Sequence, residues 1–131
     1  MNARIIELPK IPDHRGNLTF IEELKHIPFK IERTFWIYDV PGGENRGGHA
    51  YRDTEEFIVS LSGSFDVVID DGHEKQTFHL SRSYYGLYVP NMVWREMTAF
   101  STNSLALILA STPYSAADYI RDYNEYLSRL K

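Results

Sequence analysis

The stretch from Gly43 to Gly63 reads GENRGGHAYRDTEEFIVSLSG. Its apolar, β-branched second half predicts a buried strand, placed at 52–62. Side chains two residues apart on a strand point to the same side, so His49 and Tyr51 are predicted to share one face. A histidine is the side chain best matched to proton transfer near neutral pH. The stretch therefore predicts a β-strand framework that carries a candidate proton-transfer site.

The rest of the chain continues this pattern of short apolar runs between turn signals. The turn signals are Pro41-Gly42-Gly43, Asp70-Asp71-Gly72 and Pro90-Asn91. Even spacing of short strands is typical of an all-β sandwich or jelly-roll barrel. Strands are predicted at 3–8, 17–22, 31–40, 52–62, 64–70, 76–80, 83–89, 94–99 and 104–110.

The C-terminal segment has a different periodicity. Apolar and aromatic residues recur at helical spacing, and Ser115 and Asp118 are suitable N-caps. The pattern predicts a C-terminal helix of about four turns that packs one face on the barrel or on a partner subunit. The residues on that face are Tyr119, Ile120, Tyr123, Tyr126, Leu127 and Leu130.

Composition limits the function classes. A chain of 131 residues is long enough for one domain with its own core, assigned to 1–131. A net charge of −4 argues against nucleic-acid binding, which needs a clustered basic surface. The chain has no cysteine, which excludes thiolate chemistry and disulfides. No signal-peptide core or membrane span is evident, so we expect a cytoplasmic protein that has no membrane partner.

The spacing of Gly43, His49, Tyr51, Glu56 and Gly63 resembles the first motif of the cupin superfamily. The run from Gly86 to Arg95 resembles the second motif, with an arginine where cupins usually have a histidine. The resemblance implies a cupin, jelly-roll β-barrel in which the motif side chains point inward.

The candidate metal ligands are too few for a cupin metal site. A first-row metal normally takes three or four protein donors, and only His49 and Glu56 remain here. Arg95 has no lone pair to donate and repels a dication. We therefore predict a metal-free site that needs no cofactor. A satisfied interior histidine is the alternative interpretation of His49.

Four arginines lie in or beside predicted barrel strands. A buried arginine is costly without an anionic partner. One interpretation pairs them internally with Glu22, Glu55 or Glu56; the other makes them a clamp for phosphate or sugar, since guanidinium binds phosphate in a bidentate manner. We expect at least one of them to be purely structural. The arginines are Arg15, Arg33, Arg46 and Arg95.

Motifs that run nearly end to end resemble the WxcM-like sugar-nucleotide 3,4-ketoisomerases. These enzymes act on dTDP-4-oxo-6-deoxyglucose and supply 3-keto sugars for amino-sugar synthesis. The motifs read DHRGNL at 13–18, IPFKIER at 27–33, RGGHA at 46–50, SGS at 62–64, DDG at 70–72, GLYV at 86–89, VWREM at 93–97, LAS at 109–111 and DYIRDY at 118–123.

This resemblance implies a metal-free isomerisation in a homodimer with exchanged β-strands. A base removes the C3 proton next to the C4 ketone, and the enediolate is reprotonated at C4, which moves the ketone to C3. His49 is the predicted base, and Arg46, Arg95 or Tyr51 would stabilise the oxyanion. The predicted site comprises His49 and Tyr51 as catalytic residues. The predicted substrate-binding residues are Arg15, Arg33, Arg46, Glu55 and Arg95.

One departure from the family concerns Tyr51. The family usually has His-Ala-His, whose second histidine is thought to shuttle the hydroxyl proton. A phenol with a pKa near 10 is a poor base at neutral pH, yet it donates, accepts and relays protons. Three other functions stay open: a 3,5-epimerase acting on the same nucleotide sugar, a non-catalytic sugar-nucleotide-binding module, and a metal-dependent cupin.

Overall fold

The computed structural model of the chain describes residues 2–131 and is built mainly from β-strands. The first sheet has the strand order β1-β9-β6-β11-β4, the second has the order β12-β5-β10-β7-β8, and β2 and β3 form a separate ribbon. All the ladders within these sheets are antiparallel. The strands are β1 (Arg4–Glu7), β2 (Lys10–Ile11), β3 (Leu18–Thr19), β4 (Arg33–Tyr38), β5 (Arg46–Tyr51), β6 (Glu56–Ser62), β7 (Phe65–Asp70), β8 (Lys75–Leu80), β9 (Tyr85–Val89), β10 (Trp94–Thr98), β11 (Leu105–Ala110) and β12 (Tyr119–Ile120). A single α-helix, α1, covers Tyr123–Arg129.

The core lies between the two sheets, and the two-residue period of the strands decides which side chains enter it. Ile58 of β6 and Met97 of β10 are fully buried members of this core. Glu56 and Arg95 lie two residues away on the same strands, so they point into the same interior. No strand pairing joins the two sheets within residues 2–131, so they face each other as an open jelly roll and do not form a closed barrel.

The outer face of the first sheet is also covered. Phe57 and Val59 point away from the central core and pack against Ile27 and Phe29 from the segment before β4. Burial on both faces explains why β6 reads as a continuous apolar run in place of an alternating one.

The predicted strand at 52–62 starts later than expected, at Glu56. Residues 52–55 form a bend instead, because their backbone groups bond to the C-terminal segment. The Arg52 N–H donates to the Asp118 carbonyl, 2.9 Å away, and the Asp53 N–H donates to the Asp118 carboxylate, 2.7 Å away. The predicted strand at 17–22 is also shorter, covering only Leu18–Thr19.

The prediction of a four-turn C-terminal helix is wrong in length. The α-helix has only seven residues, and its N-cap is Asp122, whose carboxylate accepts from the Glu125 N–H at 3.0 Å. Tyr119 and Ile120 instead form a strand along β5, where pairing with Tyr51 and Ala50 satisfies their backbone groups. No helix within residues 2–131 has the length and apolar character that crossing a membrane requires.

The short helix is anchored on the outer face of the second sheet. Tyr126 is fully buried with Ala50 and Trp94, and its hydroxyl donates to the carbonyls of Asp70 and Met92, at 3.1 and 2.9 Å. This anchoring fixes the segment that carries β12 next to β5.

Gly86 tests the close packing of β9 against β6. A methyl group added there would lie 2.5 Å from Phe57 Cζ and 2.6 Å from the Ile58 carbonyl oxygen. We expect Gly86→Ala to lower the free energy of unfolding by about 1–3 kcal/mol in urea titrations. Gly42→Ala is the control, since its methyl meets open space, and should change it by less than about 0.5 kcal/mol. Equal stabilities for the two variants would contradict this packing.

Candidate active site

An ion pair between Arg95 and Glu56 lies at the centre of the candidate site. Arg95 Nε donates to Glu56 Oε1 at 2.6 Å and Nη2 donates to Oε2 at 2.9 Å, and both side chains are at most 2% exposed. Because Arg95 belongs to the second sheet and Glu56 to the first, the pair joins the two sheets through the interior. Breaking such a pair would leave an uncompensated buried charge.

Gly47 gives the Arg95 guanidinium its space. Gly47 has φ +76°, and a methyl group there would lie 2.2 Å from Arg95 Nη1. The same methyl would lie 3.9 Å from His49 Cε1, so the free edge of the guanidinium and the histidine ring approach one spot on β5.

His49 lies inside this cluster, directly opposite Arg95 in the pairing of β5 with β10. It is 5% exposed, and its ring contacts those of Tyr51 and Tyr119, with centroids 4.8 and 5.0 Å away. Burial is the largest of the causes that lower the pKa of His49 to about 3. The positive charges of the nearby arginines add to this effect, in the order Arg95, Arg121, Arg33. His49 is therefore a neutral imidazole at physiological pH and keeps a lone pair free to accept a proton.

Tyr51 is buried beside His49, on the same face of β5 as predicted. Its hydroxyl donates to the Tyr119 hydroxyl at 3.3 Å. Burial, with a further contribution from the charge of Glu56, raises the pKa of Tyr51 far above its ordinary value. The phenol is thus neutral at every physiological pH, available as a donor or acceptor.

Three buried polar atoms have no hydrogen-bond partner within residues 2–131: Arg33 Nε, His49 Nε2 and Arg95 Nη1. Buried polar groups are nearly always satisfied in native proteins, so such atoms need an explanation. Each belongs to a residue of this cluster, since the charges of Arg33 and Arg95 both act on His49. The arrangement is typical of a site whose remaining partners come from a bound polar ligand.

Arg33 and Arg121 extend the positive charge around the histidine. Arg33 is placed by β4, with its Cζ 5.3 Å from the centre of the Phe35 ring and 5.6 Å from that of Tyr114. The Cζ of Arg121 lies 4.3 Å from the centre of the Tyr119 ring. Guanidinium groups over aromatic faces are favourably placed and still present N–H donors to an anion.

The structure does not bring three of the predicted substrate-binding residues to His49. Arg15 lies in the exposed loop between β2 and β3, where its guanidinium makes two 2.9 Å bonds to Asp13. Arg46 is exposed at the start of β5. Glu55 accepts a hydrogen bond from the Tyr88 hydroxyl, which belongs to the cluster on the outer face of the first sheet.

The donor set is poor in metal ligands. Within residues 2–131, no three side chains of His, Cys, Asp or Glu come together as a cation site. Both oxygens of Glu56 are already bonded to Arg95, which leaves His49 without a second free donor from the cupin motif.

Comparison with known proteins assigns the chain to a family. The family described as FdtA: WxcM-like, C-terminal matches residues 1–131. The chain belongs to the WxcM-like family. A TDP-4-oxo-6-deoxy-alpha-D-glucose-3,4-oxoisomerase of Aneurinibacillus thermoaerophilus is 44% identical over 96% of this chain and 91% of its own length. The family predicted from the sequence motifs is confirmed.

Solved structures of 3,4-ketoisomerases share the whole fold. A 3,4-ketoisomerase from Helicobacter canadensis superposes with a TM-score of 0.96 at 38% identity, covering 99% of this chain and 98% of its own. The histidine-to-asparagine mutant of QdtA, a 3,4-ketoisomerase from Thermoanaerobacterium thermosaccharolyticum, was solved with TDP-4-keto-6-deoxyglucose. It has a TM-score of 0.95 at 34% identity, covering 98% of this chain and 93% of its own. The predicted all-β jelly-roll fold is confirmed.

Sequence reasoning did not place Tyr119 and Arg121 beside His49, where the structure has them. Both lie in the DYIRDY motif, whose spacing predicts a helix. In that helix Tyr119 would lie on the face that packs against the barrel or a partner subunit. The usable signal was the alternation of Tyr119, Ile120 and Arg121, which fits a short edge strand as well as it fits a helix.

The low pKa of His49 predicts an acid-dependent loss of stability. The unfolded chain takes up the proton near the ordinary value of 6.5, whereas the folded protein resists it until about 3. Below 6.5 the unfolded state binds more protons, so stability falls with decreasing pH by up to about 1.4 kcal/mol per unit, and is unaffected above that window.

We expect His49→Asn to remove most of this slope, as measured by urea unfolding at pH values spaced through that window. The control is His73→Asn, at an exposed histidine in the β7–β8 turn, which should keep the parental slope. If the free energy of unfolding of the parent and of His49→Asn changed with pH in parallel, the buried imidazole would not be the source of the loss of stability in acid.

Proposed function

We propose that this chain is a dTDP-4-oxo-6-deoxyglucose 3,4-ketoisomerase that moves the ketone from C4 to C3 through an enediolate. The observation that carries the proposal is the neutral, buried His49, which is surrounded by arginines and whose Nε2 has no hydrogen-bond partner among residues 2–131. The name of the 44% identical relative supports this substrate, and the name of the 38% identical structure, a 3,4-ketoisomerase, supports the reaction.

His49 is the proposed base that takes the C3 proton. In the free protein its low pKa makes it a weak base, mainly through burial and partly through three cationic neighbours. The diphosphate of a bound nucleotide sugar would offset those positive charges, and an anion near a histidine raises its pKa. Substrate binding would thus itself strengthen the base. The protonated imidazole then returns a proton to C4.

Arg95 is the proposed oxyanion donor. Its Nη1 has no partner among the described residues and its other two nitrogens are held by Glu56, so the guanidinium is fixed before the substrate arrives. Fixed donors stabilise the negative charge that develops on the ketone oxygen without reorganisation in the transition state. Tyr51 is proposed to relay the hydroxyl proton between the C3 and C4 oxygens.

The reaction is proposed to need no metal or other cofactor. Support comes from the donor set, because a guanidinium occupies both Glu56 oxygens and repels a dication from the position beside His49. Proton abstraction next to a ketone requires only a base and an oxyanion donor, both of which these residues can supply.

The working form is proposed to be a homodimer with exchanged β-strands, acting in the cytoplasm. Trp36 and Tyr38 of β4 are 57% and 61% exposed, an apolar surface suited to a second copy. Arg15, Arg46 and Glu55 stay proposed substrate contacts. Arg15 is bonded to Asp13 in an exposed loop of its own chain, so the proposed contact would come from the second copy or from a movement of the β2–β3 ribbon.

The direct test is an NMR time course of chelator-treated protein with dTDP-4-oxo-6-deoxyglucose in deuterated buffer. A ketoisomerase gives a 3-ketone deuterated at C4. Deuterium at C3 and C5 with the 4-ketone retained would instead indicate a 3,5-epimerase, and an unchanged spectrum with TDP binding would indicate a binding module. Loss of activity on chelator treatment that added metal restores would contradict the metal-free proposal.

His49→Asn tests the base. We expect turnover to fall at least about 10²-fold, because general base catalysis is lost, while TDP affinity measured by calorimetry is retained. His73→Asn serves again as the matched control with parental turnover. Near-parental turnover in His49→Asn would assign proton abstraction to another group.

A further inference from the structure

Tyr119 extends the buried hydroxyl of Tyr51 toward the protein surface. The two residues face each other across the β12–β5 pairing, and their hydroxyl oxygens lie 3.3 Å apart. Tyr51 is 4% exposed, whereas Tyr119 is only partly buried. The pair therefore links the buried Tyr51 hydroxyl to a residue that is partly exposed to solvent.

This path runs beside the proposed base. The Tyr51 and Tyr119 ring centroids are 4.7 Å apart, and each lies about 5 Å or less from that of His49, at 4.8 and 5.0 Å respectively. A substrate whose C3 proton reaches His49 would thus lie beside the rings of both tyrosines.

Two contacts hold Tyr119 in place. The guanidinium of Arg121 lies over its ring at 4.3 Å, where a cation stabilises the extra electron density of a phenol that is losing its proton. Asp118, the preceding residue, accepts from the Asp53 N–H and the Thr54 hydroxyl. These bonds fix the start of β12 to the bend after β5.

A tyrosine needs such a partner at position 51 more than a histidine would. Histidine has two nitrogens, so it can release a proton at one and take another at the other. A phenol has one oxygen and one proton, and buried Tyr51 has little direct access to water. A second exchangeable hydroxyl in contact with it is the simplest way to replace the proton it gives up.

We propose, resting on the ketoisomerase function above, that Tyr119 is a positioning residue that completes a two-phenol proton relay with Tyr51. The isomerisation must deliver one proton to the C4 oxygen and remove one from the C3 hydroxyl, in addition to the carbon proton moved by His49.

The relay balances these two hydroxyl protons. When a proton is delivered to the substrate, Tyr51 gives its proton to the C4 oxygen and takes the proton of Tyr119. Tyr119 then takes a proton from water. When a proton is removed from the substrate, the C3 hydroxyl proton passes to Tyr51. At the same time the Tyr51 proton moves to Tyr119, and the Tyr119 proton moves to water. Both phenols end neutral, and no oxidant or reductant is required. The Tyr51-to-Tyr119 donation in the structure is the outward arrangement.

The test measures ketone transfer and carbon-proton exchange separately, by NMR of the full chain in deuterated buffer. We expect Tyr119→Phe to lower kcat about 10²-fold with unchanged TDP affinity. Deuterium should still enter C3 of the recovered substrate, because His49 is intact. Tyr114→Phe is the control: its ring also packs on Tyr119, at 5.9 Å, but it is 64% exposed and outside the relay.

Two double variants separate a relay from a merely structural role. Tyr51→Phe with Tyr119→Phe should be no slower than Tyr51→Phe alone, because one broken link stops the chain. With Tyr51→His, which restores a two-nitrogen shuttle, adding Tyr119→Phe should cost no further kcat.

Parental kcat in Tyr119→Phe, a loss confined to KM, or additive losses in the first double variant would overturn the relay. A parent chain that forms no 3-ketone would overturn the proposed function and the relay with it. Product from the parent together with any of the first three results overturns the relay alone.

Discussion

The Arg95–Glu56 ion pair is the constraint on which the site depends. It crosses the interior from one sheet to the other, fully buried, and both Glu56 oxygens are used in it. A buried carboxylate without its guanidinium, or the reverse, would be strongly unfavourable, so the spacing of the two sheets at this point is set by the pair. Gly47 is required in turn, because any side chain on β5 there would meet the guanidinium. Structural and chemical demands thus converge on one residue, Arg95.

The arginines around His49 set the electrostatic character of the site. Glu56 neutralises Arg95, but Arg33 and Arg121 add positive charge around a histidine that burial already keeps neutral. A region with this charge favours anions and disfavours protons. The free protein therefore holds His49 in the unprotonated form, and an anionic ligand at this point would raise the pKa of the proposed base. In the proposed mechanism, substrate binding and activation of the base follow from one charge distribution.

The sequence was informative where short-range periodicity decides the structure. Alternation placed His49 and Tyr51 on one face, and the apolar run after Glu56 located β6. Prediction from periodicity failed at Tyr119 and Ile120. Three residues of alternation there cannot outweigh the helical spacing of Tyr123, Tyr126 and Leu127. The bend at 52–55 and the Arg95–Glu56 contact join residues 39 or more positions apart, and no local pattern encodes such contacts. Arg15 was grouped with the site by motif, although its own chain pairs it with Asp13.

The two-residue strand β12 has a consequence for thermal behaviour. It pairs only with Ala50 and Tyr51, and Asp118 beside it holds the bend at 52–54. Detachment of this short segment would, in a single event, separate Tyr119 from Tyr51, release the bend and uncover the edge of β5. Such sub-global opening requires less free energy than complete unfolding. If this segment opens on heating before the sheets do, despite the Tyr126 anchor, activity should decline at temperatures where both sheets are still intact.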